Sequence, residues 1–402
     1  MPFPSPFHAR TLPLCTSMAW KTWAGYYAVR HFDASPEREY NAVRQGAGLL
    51  DVSPLYKLDV RGRDAGALLD YVLSRPVAKL KTGRITYLCW CDDHGKVLDD
   101  GTCWRLGKER WRITAASPAW AWFDRHARGL DVEVVDVTER LAALALQGPT
   151  ARAILIAAGA DVGDLRFFGW RHVTLAHPAS GLGSIEATVS RTGYTGDLGY
   201  ELWVDPAHAL ALWDILMAAG KPLGIWPIGL DTLDITRIEA GFILQGNDYY
   251  SAVDALTPAN TSSPFEIGLG WTVELERDPP FIGQRALIAE KARGSPWAFV
   301  GLVVDWPALE AAYARHDLPP SLPTAAWRAR VPLYRGVRQI GYASSGTWSP
   351  ILKQNLALAS VFSEVAAPGS ELDIEILVDW ERARVPAVVT PLPFFDPPRK
   401  RS

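Results

Sequence analysis

Ile85-Thr86-Tyr87-Leu88-Cys89-Trp90-Cys91, then Asp92-Asp93-His94-Gly95, then Lys96-Val97-Leu98-Asp99-Asp100-Gly101-Thr102-Cys103-Trp104-Arg105-Leu106 follow one another without a break. Aromatic and β-branched residues flank a polar turn in which Gly95 supplies a positive φ, so the stretch predicts a β-hairpin. Adjacent strand residues point to opposite faces, and the carboxylates of Asp99 and Asp100 are therefore expected to diverge rather than share a pocket. If alternation survives Gly101, then Leu98, Asp100, Thr102 and Trp104 lie on one face. Asp100 then sits among apolar and aromatic neighbours. A carboxylate there is costly to desolvate unless a cation or hydrogen-bond donors meet it, and such positions are enriched for function. The alternative is a strand-end aspartate facing water.

Downstream, Leu141–Leu146 predicts a buried strand running into Gly148-Pro149, a helix to about Ala158 and a stop at Gly159. Asp205-Pro206 repeats the device, with Asp205 as N-cap of an apolar-rich helix to Ala219 and Gly220. Leucine or isoleucine at 230, 233, 235 and 238 predicts a helix over Gly229–Ala240, closed by Gly241. Beyond about Phe281 the texture changes. After a short helix, Ala286–Arg293, come Phe299–Val304, Val331–Tyr334, Gln339–Ser344, Ala357–Phe362, Leu372–Leu377 and Val385–Val389. Short strands separated by Gly and Pro suggest a small barrel or sandwich. The proline-dotted stretch Asp305–Arg330 is expected to be a surface excursion from it.

The chain has 402 residues, 48% hydrophobic and 21% charged, which implies a globular protein with more than one core. A net charge of −3 argues against nucleic acid or an anionic membrane as partner. Four cysteines in so long a chain do not make a disulfide framework, which implies reduced thiols and a cytoplasmic setting. Met1–Cys15 is proline-dotted without a continuous apolar run, unlike a signal peptide, and no membrane-spanning window occurs. The basic segment Arg399-Lys400-Arg401 after Pro397-Pro398 is expected to fray.

No phosphate-binding GxxxxGK[ST], HExxH or GxSxG motif is present. Cys89, Cys91, Asp92, Asp93, His94 and Cys103 crowd together, but without the spacing of a structural zinc site, and no metal is expected. The most distinctive local string is Arg191-Thr192-Gly193-Tyr194-Thr195-Gly196-Asp197-Leu198-Gly199-Tyr200-Glu201-Leu202. Its three glycines permit close backbone approach. On composition alone, a glycine-rich hairpin with a solvated Glu201 is the better reading. Arg237, three residues after Asp234 on a predicted helix, suits either a surface ion pair or a clamp for a substrate carboxylate.

In chain order stand Gly48-Leu49-Leu50-Asp51-Val52-Ser53, Gly95-Lys96-Val97-Leu98-Asp99-Asp100, Leu146-Gln147-Gly148-Pro149 and the Arg191–Leu202 string. Arg237-Ile238-Glu239-Ala240-Gly241, Gln245-Gly246-Asn247-Asp248, Gly268-Leu269-Gly270-Trp271-Thr272-Val273, Phe281-Ile282-Gly283 and Ser344-Ser345-Gly346-Thr347-Trp348-Ser349-Pro350 follow. This ordered set, spanning roughly residues 20 to 395, resembles the glycine cleavage T-protein (aminomethyltransferase) superfamily. The resemblance implies an α+β, multidomain fold: a mixed α/β folate-binding region of two interleaved subdomains over residues 1–280, then a C-terminal β-barrel over 281–402. It further implies a one-carbon transferase using tetrahydrofolate held in a central channel. Asp100 falls on the family's catalytic aspartate, Glu201 on the glutamate that binds the pterin ring and Tyr194 on the tyrosine nearby. Tyr87, Arg237 and Trp271 fall at positions that line the folate site.

The chain also departs from the T-protein pattern. A phenylalanine–alanine–glycine–tryptophan motif is replaced by Trp23-Ala24-Gly25-Tyr26, a histidine after Asp-Val-Ser by Pro54-Leu55, and an arginine–aspartate pair by Leu233-Asp234. These changes bear on the one-carbon donor, which is either a small molecule or a lipoyl carrier protein. Relatives with this fold demethylate methylated sulfur, nitrogen or oxygen compounds. A non-catalytic folate-binding assembly factor would carry a cysteine motif where this chain has Arg191–Leu202. The folate half of a flavin-linked amine dehydrogenase would carry a flavin domain.

Overall fold

The computed structural model describes residues 1–178, 181 and 183–402. In chain order the first strands are β1 (Ala19–Trp23), β2 (Tyr26–His31), β3 (Ala47–Asp51), β4 (Tyr56–Arg61), β5 (Ile85–Cys91), β6 (Val97–Gly107) and β7 (Arg110–Ala115). Then come β8 (Glu133–Asp136), β9 (Ala142–Gln147), β10 (Trp170–Leu175), β11 (Ile185–Ser190), β12 (Gly199–Val204) and β13 (Ile225–Pro227). β1 and β2 form a separate hairpin. A six-stranded sheet runs β10-β11-β12-β9-β3-β13 and a five-stranded sheet β5-β6-β7-β4-β8. The chain leaves the first sheet after β3, builds the whole second sheet, and returns through β9. The two α/β units are interleaved for this reason.

Apolar side chains divide accordingly. Helices Ala151–Ala157 and Ala209–Gly220 cover one face of the six-stranded sheet through Leu144, Leu155, Leu202 and Leu216. Helices Ala65–Val72 and Trp120–Ala127 cover one face of the five-stranded sheet through Leu69, Ile113 and Phe123. The other two faces meet each other around Leu50, Ile85, Ala145 and the edge-on pair Trp104–Trp203, whose ring centroids are 5.3 Å apart.

All six strands expected after Phe281 are present, as β14 (Trp297–Val304), β15 (Val331–Arg335), β16 (Arg338–Ser349), β17 (Gln354–Phe362), β18 (Glu371–Val378) and β19 (Glu381–Thr390). They close into a barrel in the order β14-β17-β16-β15-β18-β19. The stretch 305–330 is more than a surface excursion. Asp305 caps a helix, Trp306–Ala314, by accepting from Ala308 N, and Leu309 and Ala312 enter the barrel core. Among the described residues no helix is long and apolar enough to cross a membrane.

The basic C-terminal segment does not fray. Arg399 grips the buried Asp197 carboxylate with two bonds of 2.7 and 2.8 Å, while the backbone carbonyl of Ser402 accepts from Arg152 and Arg191. A buried acid upstream supplies the partner that composition could not reveal.

Asp197 belongs to a network centred on Arg44 of helix Glu37–Gln45. Arg44 donates to Glu239, to the Thr195 carbonyl and, at 3.5 Å, to Asp197. Tyr40 and the barrel residue Ser349 also donate to Glu239. Removing one member of a buried charge pair strands the other. Arg44→Met is expected to lower the free energy of unfolding by about 3 kcal/mol or more, measured by urea denaturation. A loss below about 1 kcal/mol would mean that the two carboxylates find other partners.

Candidate active site

The hairpin places Asp100 on the face of the five-stranded sheet that looks toward the six-stranded one. The register shifts between Trp90 and Cys91, leaving Leu98 without a residue opposite. Bulges of this kind break alternation. Leu98 consequently packs with Leu58, Trp90 and Cys103 on the far face, not beside Asp100 as expected. Asp100, Thr102 and Trp104 remain together, joined through Trp104 Nε1 donating to Thr102 at 2.8 Å. Gly101 is required between them, since a Cβ there would lie 1.9 Å from the Thr114 carbonyl oxygen.

Asp100 is not a strand-end acid in bulk water. The hydroxyls of Tyr87 and Tyr249 donate to its two carboxylate oxygens. Asp99 accepts from Ser117 N at 3.0 Å, from Asp100 N at 2.8 Å and from the same Tyr249 hydroxyl at 3.4 Å. The two acids were expected to diverge fully, yet the Tyr249 hydroxyl reaches both. Burial raises the pKa of Asp100, and its two phenol donors offset part of that rise. Burial and the neighbouring Asp100 charge hold Asp99 well above the usual carboxylate range.

The glycine-rich segment faces this acid across the gap. Its conformation is set by the protein itself: a Cβ at Gly193 would lie 2.0 Å from the Gln147 side-chain oxygen. Gln147 donates to the carbonyls of Thr192 and Tyr200 and accepts from Thr195 at 2.9 Å. The close approach that Gly193 and Gly199 allow is therefore to Gln147, and that of Gly196 is to Ala240. Glu201 is buried away from bulk water rather than solvated, and accepts from Thr192 at 2.7 Å. Burial raises its pKa, with Thr192, Ser190 and Lys57 pulling it back. The Tyr194 hydroxyl donates to the Ile243 carbonyl, and its ring stacks on Phe242 with centroids 5.4 Å apart.

Tyr87, Asp100, Tyr194 and Glu201 are all deep enough for burial to dominate their pKa values, yet all four keep partial exposure. That combination fits side chains set deep in a recess with one edge still open. Trp271 stands at its rim, 60% exposed, stacked on Tyr87 with centroids 5.9 Å apart and held by Arg75 through its carbonyl. Arg237 is neither a surface ion pair nor a free clamp. It is buried between Asp234 at 2.8 Å and Asp248 at 2.6 Å and donates to the Phe242 carbonyl, leaving Nη2 without a partner. Its contribution to the cavity is to fix the loop that carries Phe242 and Ile243.

Two further residues belong to the site. Tyr249 follows directly on the Gln245–Asp248 string, and a tyrosine beside a loop motif was its signal. Lys57 lies in β4, fully buried, where alternation with Leu58 and Val60 puts it on the inner face of the sheet.

Comparison with known proteins gives two family matches: residues 14–277 to the GCVT N-terminal domain, and residues 320–396 to the glycine cleavage T-protein C-terminal barrel domain. An aminomethyltransferase of Geobacillus thermodenitrificans is 34% identical over 368 residues, 90% of each chain. A trimethylamine-oxide aldolase of Ruegeria pomeroyi is 35% identical over 375 residues, which make up 92% of this chain but 44% of that protein. The crystal structure of glycine cleavage system aminomethyltransferase T from Bartonella henselae superposes with a TM-score of 0.80 at 24% identity, covering 98% of this chain and 99% of that one.

Because the folded-state pKa of Asp100 lies above its unfolded value, the carboxyl costs stability as pH rises from the unfolded pKa through the folded one. Asp100→Asn carries no charge; its amide oxygen accepts from one phenol and its NH2 donates to the oxygen of the other. It is expected to be more stable than the wild type by on the order of 1 kcal/mol at alkaline pH, with the gap closing toward pH ~4. Urea denaturation across that range checks this; a pH-independent difference would mean that the buried charge is not its source.

Proposed function

The chain belongs to the glycine cleavage T-protein family, whose members are one-carbon transferases, and from that premise we propose that it transfers a one-carbon unit to tetrahydrofolate with Asp100 as the catalytic carboxylate. The observation that carries this reading is Asp100, buried between two phenol donors and near enough to Tyr194 of the glycine-rich segment for its charge to act there.

The side chains suit a reduced folate. A pterin is a flat ring with one edge of N–H donors, which calls for a buried acceptor and flat walls. Glu201 is such an acceptor, and the stacks Tyr194–Phe242 and Tyr87–Trp271 are such walls. Arg237 supports them from behind. When bound, tetrahydrofolate supplies the amine that takes up the one-carbon unit. Glu201 accepts hydrogen bonds from the ring edge and fixes its orientation. Asp100 orients the amine nitrogen, offsets the positive charge that develops there, or takes its proton. Tyr87 and Tyr249 keep the Asp100 carboxylate aimed.

We place the division between folate-binding region and barrel at residues 280/281. The four free, buried cysteines suit a reducing, cytoplasmic setting. The donor is a small one-carbon compound or a lipoyl carrier protein. A demethylase acting on a methylated nitrogen, sulfur or oxygen compound is the second reading, favoured by the similarity to a trimethylamine-oxide aldolase.

Methylated amines, sulfonium compounds, methoxyaromatics and an aminomethyl-lipoyl carrier are the donors to screen, following tetrahydrofolate consumption. With the productive donor, Asp100→Asn is expected to cut turnover by about 100-fold or more while leaving the folate Kd nearly unchanged. Full activity in that variant would remove Asp100 from the mechanism. Glu201→Ala is expected to weaken folate binding by roughly ten- to a hundredfold, the worth of a hydrogen bond to a charged group. An unaltered Kd by calorimetry would contradict the pterin assignment of Glu201.

A further inference from the structure

The inner face of the five-stranded sheet carries a row of polar side chains of which the reaction above uses Tyr87 alone. Tyr87 stands opposite Thr102, Thr102 opposite Thr114, and Thr114 opposite Lys57, on four neighbouring strands. The two threonine hydroxyls are 2.6 Å apart. The row begins beside Asp100 and ends at a lysine with no exposed surface. Lys57 Nζ donates to the carbonyls of Ser53 at 2.6 Å and Leu55 at 2.8 Å, and lies 5.6 Å from the ring centre of Trp203. Among the described residues no carboxylate lies within ion-pair distance of it. Trp203 is two residues beyond Glu201 on β12, on the same face of that strand. An ammonium facing that indole therefore lies on the side of β12 from which the Glu201 side chain projects.

From this juxtaposition we propose that Lys57 is a positioning residue of the pterin site: its buried charge holds Glu201 as a carboxylate and so keeps it an acceptor for the ring's N–H edge. The inference rests on the assignment of Glu201 to the pterin. Two features support it. Thr192 and Ser190 give Glu201 hydrogen bonds, but Lys57 is the basic side chain acting on it. Burial in turn pulls the Lys57 ammonium down to about 7, so its charge persists only because acids face it. Those facing groups are Asp51 on β3, Asp136 on β8 and Glu201 on β12, opposed by Arg112 on β7. A protonated Glu201 would turn a donor toward the pterin's donors, and affinity would fall.

The sign follows. Glu201 has a raised folded pKa that Lys57 lowers, so loss of the lysine charge moves the Glu201 titration to higher pH. The test is calorimetric titration of 5-formyltetrahydrofolate into the full chain from about pH 5.5 to about pH 8.5, in the wild type, Lys57→Met, Lys57→Arg and Glu201→Gln. In the wild type affinity falls toward acid. In Lys57→Met that fall is expected to move up by about one pH unit, giving roughly tenfold weaker binding on the acid limb and convergence with the wild type at the alkaline end. Lys57→Arg keeps the charge and the wild-type midpoint, and Glu201→Gln loses the acid limb. A lysine that only ties Ser53 to Leu55 would lower affinity equally at every pH. That result, or an acid limb persisting in Glu201→Gln, overturns the proposal. A wild-type chain that binds no reduced pterin at any pH overturns the assignment of Glu201 instead.

Discussion

Arg237 and Glu239 lie two residues apart on helix Leu230–Glu239, and both ionisable side chains are buried. A charge withdrawn from water has to be met by partners, and this helix cannot supply enough of them. Arg237 takes one acid from its own helix and another, Asp248, from the loop that follows. Glu239 takes Arg44 and Tyr40 from an N-terminal helix. The barrel completes both sets: Ser344 and Ser345 donate to Asp248, and Ser349 donates to Glu239. Two side chains on one short helix thus tie the interleaved sheets to the barrel. The apolar contact of Ile238 with Leu356 and Leu358 lies between them.

The cavity is a by-product of the same arrangement. Two sheets that pack through Trp104 and Trp203 would ordinarily close with apolar residues across the whole interface. Here one side of that interface carries acids, phenols, threonines and a lysine, each held by a neighbour rather than by bulk water. Such a surface contributes little to stability and gives precise placement in return, the usual compromise at a reactive centre. Tyr249 shows the economy involved: its single hydroxyl serves both Asp99 and Asp100, and it arrives from the loop that Arg237 anchors.

Much of this was legible in the residues. Strand and helix positions followed from alternation, from Asp205 and Pro206 at a helix start, and from Gly159 and Gly241 at helix ends. The ordered strings named the family and with it the interleaving, which no local pattern could have indicated. What stayed hidden has a common physical cause: partners distant in sequence. Nothing near Arg237 announced that Asp248 and two barrel serines would surround it. The bulge at Leu98 was invisible because it depends on the register with β5, and Asp305 capping a helix in a proline-dotted stretch was masked by composition. Tyr249 and Lys57 were overlooked because each is unremarkable until the opposite wall is in place.

Asp197 and Arg399 are 202 residues apart, and the Arg399 guanidinium closes on a buried carboxylate that also faces Arg44. During synthesis the glycine-rich segment therefore leaves the ribosome with Arg44 already made but long before its two-pronged partner Arg399 exists. Until Arg399 emerges, that acid is better left hydrated, and the turn that carries Tyr194 has reason to stay unsettled. The segment that carries Tyr194 thus receives its last contacts late, after both sheets and the barrel have been made.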